Sequence, residues 1–107
     1  MRSSWKQIDT FPIIVRIIEQ AYREQPRFVK TREIIEGLMK DVEGRRLIEI
    51  AQNHQKERSA EWLAANMVSW FSQRITVGAS QWADAFDRTK VDGRWAYKPI
   101  AVNDKGV

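Results

Sequence analysis

The sequence predicts an α+β domain that is mainly helical, with three to four helices followed by a C-terminal β-hairpin. Apolar residues recur at three-and-four spacing through most of residues 12–76, as in helices that bury one face. Asp92-Gly93 then separates two short runs rich in β-branched and aromatic residues, which is typical of a hairpin with a type I′ turn. A length of 107 residues fits a single domain. We place that domain at residues 1–102, followed by a flexible tail at 103–107.

The first helix is predicted over residues 12–25. Five residues share its apolar face: Ile14, Ile17, Ile18, Ala21 and Tyr22. Pro26 ends the helix, because a residue that precedes proline is disfavoured in helical geometry. Residues 27–30 follow as an extended connector or a very short strand.

Residues 31–55 are predicted to be helical, and their pattern leaves open whether they form one bent helix or two. Thr31 is the expected cap at the start of this segment. Gly44 is expected to break or bend the helix, because glycine is a poor helix former.

A long third helix is predicted over residues 59–76, with Ser59 as its N-cap and Gly78 in the left-handed position that ends it. Its broad apolar face comprises Ala60, Leu63, Ala64, Met67, Val68, Trp70, Phe71 and Ile75. The opposite face comprises Glu61, Ala65, Asn66, Ser69, Ser72, Gln73 and Thr76, with Trp62 among them. We expect neighbouring elements to cover Trp62, because most tryptophans of small domains are largely buried.

The hairpin is predicted over residues 86–98, and Pro99 ends its second strand. A two-residue turn sets a register in which Val91 faces Arg94, Lys90 faces Trp95, and Arg88 faces Tyr97. This register suits cation–π packing across the strands. The preceding residues 79–85 are ambiguous, with a short helical turn as one option.

The residue inventory gives no support for catalysis. There is no cysteine, and His54 is the only histidine, so neither a thiolate nor a histidine metal site is expected. No glycine-rich phosphate loop or hydrolase motif is present. We therefore expect no enzyme activity, no metal and no cofactor.

The apolar stretches are too short for a membrane span. The longest, residues 13–15, is interrupted by Arg16, and the N-terminal residues contain no secretory apolar core. We expect a cytoplasmic protein with no membrane partner.

The order of these elements resembles that of winged helix-turn-helix domains. Five segments carry the resemblance: residues 14–22, 28–30, 31–39, 59–76 and 86–98. It covers most of the chain and rests on element order, without a diagnostic motif. Two segments, 41–58 and 78–85, are longer than the corresponding links in that pattern. The resemblance implies that the third helix enters the DNA major groove and that the hairpin, the wing, contacts phosphates or the minor groove.

The residue types of the third helix and the hairpin are compatible with a DNA partner. The net charge is +4 and the isoelectric point is near 9.7. Amide and hydroxyl side chains can bond base edges, and basic side chains can bind phosphates. The predicted contacts to double-stranded DNA are Lys56, Arg58, Asn66, Ser69, Gln73, Arg88, Lys90 and Arg94. These predicted contacts indicate a transcription-regulator-like function. The sequence leaves open whether the protein is a homodimer.

A second hypothesis is a non-catalytic module that binds a protein or a small ligand and is itself homodimeric. Five tryptophans and six other aromatic residues exceed what a basic DNA-binding surface requires. Trp62, Trp95 and Tyr97 are the candidate interface residues. Basic residues that share a face with Asn66 and Ser69 would favour DNA, whereas an apolar patch there would favour a protein partner.

Overall fold

The computed structural model describes residues 7–78 and 84–100. A 3₁₀ turn, Gln7–Thr10, is followed by α1 (Phe11–Glu24), β1 (Val29–Lys30), α2 (Thr31–Lys40), α3 (Val42–His54), α4 (Ala60–Thr76), β2 (Phe86–Val91) and β3 (Arg94–Pro99). The predicted mainly helical α+β class is confirmed. The predictions made for residues 79–83 and for the tail at 103–107 lie outside the described residues. Within the described ranges, no helix has the length and apolarity needed to cross a bilayer.

The three strands form one antiparallel sheet in the order β1-β3-β2, with β3 at its centre. The predicted hairpin register is confirmed, since Lys90 pairs with Trp95 and Val91 pairs with Arg94. Asp92 and Gly93 have φ angles of +54° and +82°. Positive φ at both central residues is the requirement of a type I′ turn, whose twist matches that of the flanking strands.

Two helices, α2 and α3, occupy the segment that the sequence left undecided. The break falls at Asp41, which has extended backbone geometry, so the expectation that Gly44 would interrupt the helix is wrong. The Asp41 carboxylate accepts a hydrogen bond of 2.9 Å from the Gly44 N–H and thereby caps α3. Gly44 is buried in the first turn of α3, where the lack of a side chain allows close approach to Leu38.

An ion-pair cluster ties α1 to the corner between α2 and α3. The Arg16 guanidinium donates to the two oxygens of Asp41 at 2.8 and 3.1 Å, and to Glu43 at 3.2 Å. Partial burial of Asp41 opposes its ionisation, but the hydrogen bonds from Arg16 and the Gly44 N–H outweigh that effect. The pKa of Asp41 is therefore lowered.

The core is centred on Phe71 of α4. The rings of Phe11, Phe86 and Tyr97 meet the Phe71 ring edge-on, with centroid distances of 5.5, 6.1 and 5.6 Å. Trp70 was expected on the buried face of α4 but is 38% exposed. Successive residues of a helix are rotated by about 100°, so Trp70 lies at the edge of the stripe that Phe71 centres.

Replacing Gly44 with Ala is expected to lower the free energy of unfolding by about 1–3 kcal/mol. The added Cβ would overlap the carbonyl oxygen of Leu38, which the helical backbone prevents from moving away. Urea denaturation measures this loss, with Gly37→Ala as the control. The Gly37 Cβ would lie 2.8 Å from Cγ2 of Ile17, so this variant tests a clash with a side chain in place of the backbone clash at Gly44. A Gly44→Ala variant as stable as the wild type would contradict the close approach at Gly44.

Candidate functional site

A cleft of about 340 Å³ lies between α2, α4 and the β2–β3 hairpin. We call it the hairpin cleft. Ile35 and Val68 contribute apolar wall, and Ser69 of α4 contributes a hydroxyl group. Lys90 and Arg94 line it from the hairpin, and its lining in the described part of the chain includes no acidic residue. The cleft is therefore apolar at its walls and positively charged along the hairpin.

Side-chain hydrogen bonds fix the hairpin beside α4. The Tyr97 hydroxyl donates to the Ser72 hydroxyl at 2.7 Å, and the Arg88 guanidinium donates to the Thr76 hydroxyl at 2.5 Å. Ser72 and Thr76 belong to the polar face that the sequence predicted for this helix. The structure uses both residues to hold the hairpin, which removes them from the set of free polar groups on that face.

Tyr97 is fully buried, and this corrects its place among the candidate interface residues. It faces α4 from the central strand, so its ring is part of the core rather than of the surface. Burial raises the pKa of the Tyr97 phenol above its usual value of 10.0, because the charged phenolate is disfavoured there. The hydrogen bond with Ser72 and the nearby Arg88 charge offset this rise only in part.

Trp95 holds two of the predicted basic residues against its ring. The guanidinium carbon of Arg88 lies 4.1 Å from the ring centroid, and the Lys90 ammonium nitrogen lies 4.8 Å from it. The cation–π packing that the hairpin register predicted is confirmed. Trp95 is half-buried and packs against the core, so only part of its ring is open to a partner.

Trp62 is 41% exposed, so the expectation that neighbouring elements would cover it is wrong. It lies about 180° around α4 from Phe71, on the side opposite to the buried stripe. The Arg58 guanidinium carbon lies 4.2 Å from the Trp62 ring centroid. Arg74 lies 5.8 Å from the ring of Trp70 in the same way. The i,i+4 spacing of Arg74 and Trp70 was a signal for this second pair that the sequence reasoning missed.

The structure brings some of the predicted DNA contacts together and leaves others apart. Ser69, Lys90 and Arg94 line the hairpin cleft. Asn66 and Gln73 are on α4 outside that lining, half-buried and exposed respectively. The exposed Lys56 and Arg58 precede α4, and the half-buried Arg88 is turned onto Thr76 and Trp95.

Ion pairing differs between the segment that contains α1, α2 and α3 and the segment that contains α4 and the hairpin. Arg16, Arg27 and Arg32 all pair with carboxylates between residues 33 and 43. None of the described basic residues from 56 to 98 forms an ion pair with a carboxylate. The cations of α4 and the hairpin are therefore not neutralised by direct partners within residues 7–78 and 84–100.

The described residues contain no group of three acidic, histidine or cysteine side chains placed to hold a metal ion. Comparisons with known proteins gave no relative: no protein-family model, no curated protein and no solved structure matches the chain. The function proposed below therefore rests on the chain's own residues.

Replacing Tyr97 with Phe removes the hydrogen bond to Ser72 and is expected to lower the free energy of unfolding at pH 7 by about 0.5–1.5 kcal/mol. A raised folded pKa gives a stabilisation that is complete below the unfolded pKa of about 10 and is lost as the pH rises through the folded value. The variant should therefore lose less stability than the wild type above about pH 10.

Urea denaturation at neutral and alkaline pH measures this difference. Tyr22→Phe is the matched control, because Tyr22 is a half-buried tyrosine on α1, away from the hairpin. Parallel pH profiles for the wild type and Tyr97→Phe would contradict the buried phenol.

Proposed function

We propose that the chain binds double-stranded DNA as a winged-helix-like domain, with α4 entering the major groove and the hairpin acting as the wing. One observation carries the proposal: Lys90 and Arg94 of the hairpin line the same cleft as Ser69 of α4. The element order supports it, with a short strand before α2 and a hairpin after α4. A transcription-regulator-like role is the function that such a domain would serve.

The side chains of α4 supply the chemistry for reading bases. Gln73 and Asn66 carry amides, which can bond an adenine edge through two hydrogen bonds, and Ser69 can donate to a base or a phosphate. The three residues fall within about 60° of arc on α4, at 100° per residue. A single groove could therefore meet all three.

The hairpin supplies the phosphate contacts in this proposal. Lys90 and Arg94 are exposed and have no carboxylate partner among the described residues. Basic side chains of this kind displace counterions from DNA, which makes binding depend on salt. Arg88 has a different part, since its contacts with Thr76 and Trp95 position the wing. Arg94 is for that reason the cleaner test of phosphate binding.

A protein-interaction module, homodimeric or with another partner, is the second candidate function. The exposure of Trp62 and Trp70 on α4 favours it, because tryptophan is among the residues that contribute most to protein interfaces. Light scattering over a range of protein concentrations tests self-association directly. A monomer throughout would remove the homodimer from consideration.

Replacing Arg94 with Ala is expected to weaken duplex binding to a similar degree for all sequences. Loss of one phosphate contact should also reduce the slope of log affinity against log salt by about 1. Fluorescence anisotropy with a labelled duplex, over a series of NaCl concentrations, measures both effects. Arg23→Ala is the control, because it removes the same charge from the exposed surface of α1.

Two outcomes would count against the proposal. A wild-type chain without salt-sensitive affinity for duplex DNA at low ionic strength would remove it altogether. Equal weakening by Arg94→Ala and Arg23→Ala would attribute binding to net charge, with no role for the wing.

Replacing Gln73 with Ala is expected to change which duplexes are preferred, because an amide that contacts a base edge carries sequence information. The expected loss of discrimination at one base pair is about 1–3 kcal/mol, or roughly 5- to 150-fold. Competition among duplexes that differ at single positions measures it. Gln20→Ala on α1 is the control. An unchanged ranking of duplexes in Gln73→Ala would exclude a base contact by this residue.

A further inference from the structure

Two large indole side chains on the outer side of α4 have no core to enter. Trp62 and Trp70 are both partly exposed, although tryptophan side chains are usually highly buried. Each indole has an arginine over its ring, Arg58 on Trp62 and Arg74 on Trp70. Each exposed indole is therefore combined with a positive charge.

These residues follow one another at intervals of four. Trp62, Asn66, Trp70 and Arg74 lie on α4 at this interval, and residues so spaced lie along a single ridge of a helix. Arg58 precedes the helix and joins the row through its contact with the Trp62 ring. We call the row the tryptophan ridge. Its two indoles lie about 12 Å apart along the axis of α4, at 1.5 Å per residue.

We propose that the tryptophan ridge stacks on unpaired bases, so that the protein binds DNA most tightly where the duplex is locally opened or single-stranded. This inference rests on the proposed DNA binding through α4 and the hairpin and adds which state of the DNA is favoured. Aromatic rings combined with arginine are the usual platform for single-stranded nucleic acid, because every base presents a π face. In an intact duplex those faces are covered by neighbouring base pairs. Asn66, between the two indoles, can bond the edge of a base held there.

The tryptophan ridge is better suited to contact unpaired bases than base edges in the groove of a duplex. Trp62 and Gln73 lie within about 20° of each other around α4, at 100° per residue, so the indole projects on the same side as the amide. Base edges in the grooves are read mainly by basic, amide and hydroxyl side chains, and an indole offers only one N–H donor. A closed base pair therefore gives the Trp62 indole little to bond, whereas a base that leaves the stack could lie on its ring.

A second copy of the chain is a poorer occupant of the ridge. An antiparallel pair centred on Asn66 would place Trp62 of one copy beside Trp70 of the other. The same arrangement would bring the Arg58–Trp62 pair of one copy against the Arg74–Trp70 pair of the other, and neither arginine has an ion-pair partner within the described residues. A polyanion has the complementary charge. The basic hairpin cleft on the neighbouring side of α4 extends this positive surface.

Stacking of one base on an aromatic side chain changes affinity by roughly 5- to 150-fold, the equivalent of about 1–3 kcal/mol at 1.4 kcal/mol for each factor of ten. Trp62→Ala and Trp70→Ala should each weaken binding to oligothymidine by this factor. Both should weaken duplex binding less than binding to oligothymidine, because a closed base pair offers the rings no open face. Trp62→Phe, which keeps a ring, should retain most of the affinity for the oligonucleotide.

The experiment compares an oligothymidine of about 12 nucleotides with a duplex of the same length, within the site sizes of known single-strand binders. Anisotropy gives the affinities, and thermal unfolding checks that each variant is folded. Arg94→Ala is the matched control, because the loss of a phosphate contact should weaken binding to both DNAs. The expected pattern is tighter binding of oligothymidine, selectively lost in the two tryptophan-to-alanine variants.

The possible failures are distinguishable. If the duplex binds tightly and oligothymidine does not, the preference for unpaired bases is overturned while the proposed DNA binding stands. If neither DNA binds, both proposals fall. Equal losses for both DNAs in Trp62→Ala would also overturn the stacking role. Concentration-dependent dimerisation that Trp62→Ala abolishes, without an effect on oligothymidine, would assign the ridge to a second copy.

Discussion

Tyr97 lies in the central strand of the sheet and reaches α4 through both its ring and its hydroxyl group. Its backbone is opposite Val29 on one side and Arg88 on the other, while its side chain meets Phe71 and Ser72. One residue thus connects all three strands to the long helix. Because the hairpin is fixed at this point, its Lys90 and Arg94 line the hairpin cleft beside α4.

The first half of the chain provides the frame for this arrangement. A single residue, Asp41, separates α2 from α3, and its carboxylate both caps α3 and accepts from Arg16 of α1. Gly44 permits the close approach that so short a corner requires. The Arg16 ion pairs thereby hold α1 to the corner between α2 and α3, whereas the described basic residues of α4 and the hairpin form no ion pair with a carboxylate.

Local sequence signals predicted much of the fold. A two-residue loop at Asp92-Gly93 admits one strand register, and Ser59 and Gly78 mark the limits of α4 through their capping geometry. Contacts between elements far apart in the chain were harder to predict. Periodicity gives the angle of a side chain around a helix but not which neighbour covers it, so the exposure of Trp62 and Trp70 was not foreseen.

The same limit applies to the candidate site. Alternation along the hairpin identified which residues share a face, but it could not indicate that this face would pack on α4 and bury Tyr97. The convergence of Ser69 and Arg94 at one cleft likewise depends on tertiary contacts between elements far apart in the chain. Element order and residue type indicated the candidate site residues, but tertiary packing determined which of them lie close together.

The tight turn at Asp92-Gly93 also affects the thermodynamics of association. A long, flexible wing would have to become ordered when it met a partner, and each immobilised side chain would cost about 0.5–1.5 kcal/mol. Here the turn is only two residues long, and Lys90 already rests on Trp95. Part of the conformational entropy of the hairpin is therefore lost during folding. A hairpin ordered in advance can reach a given affinity with fewer contacts, because less ordering is left to the binding step.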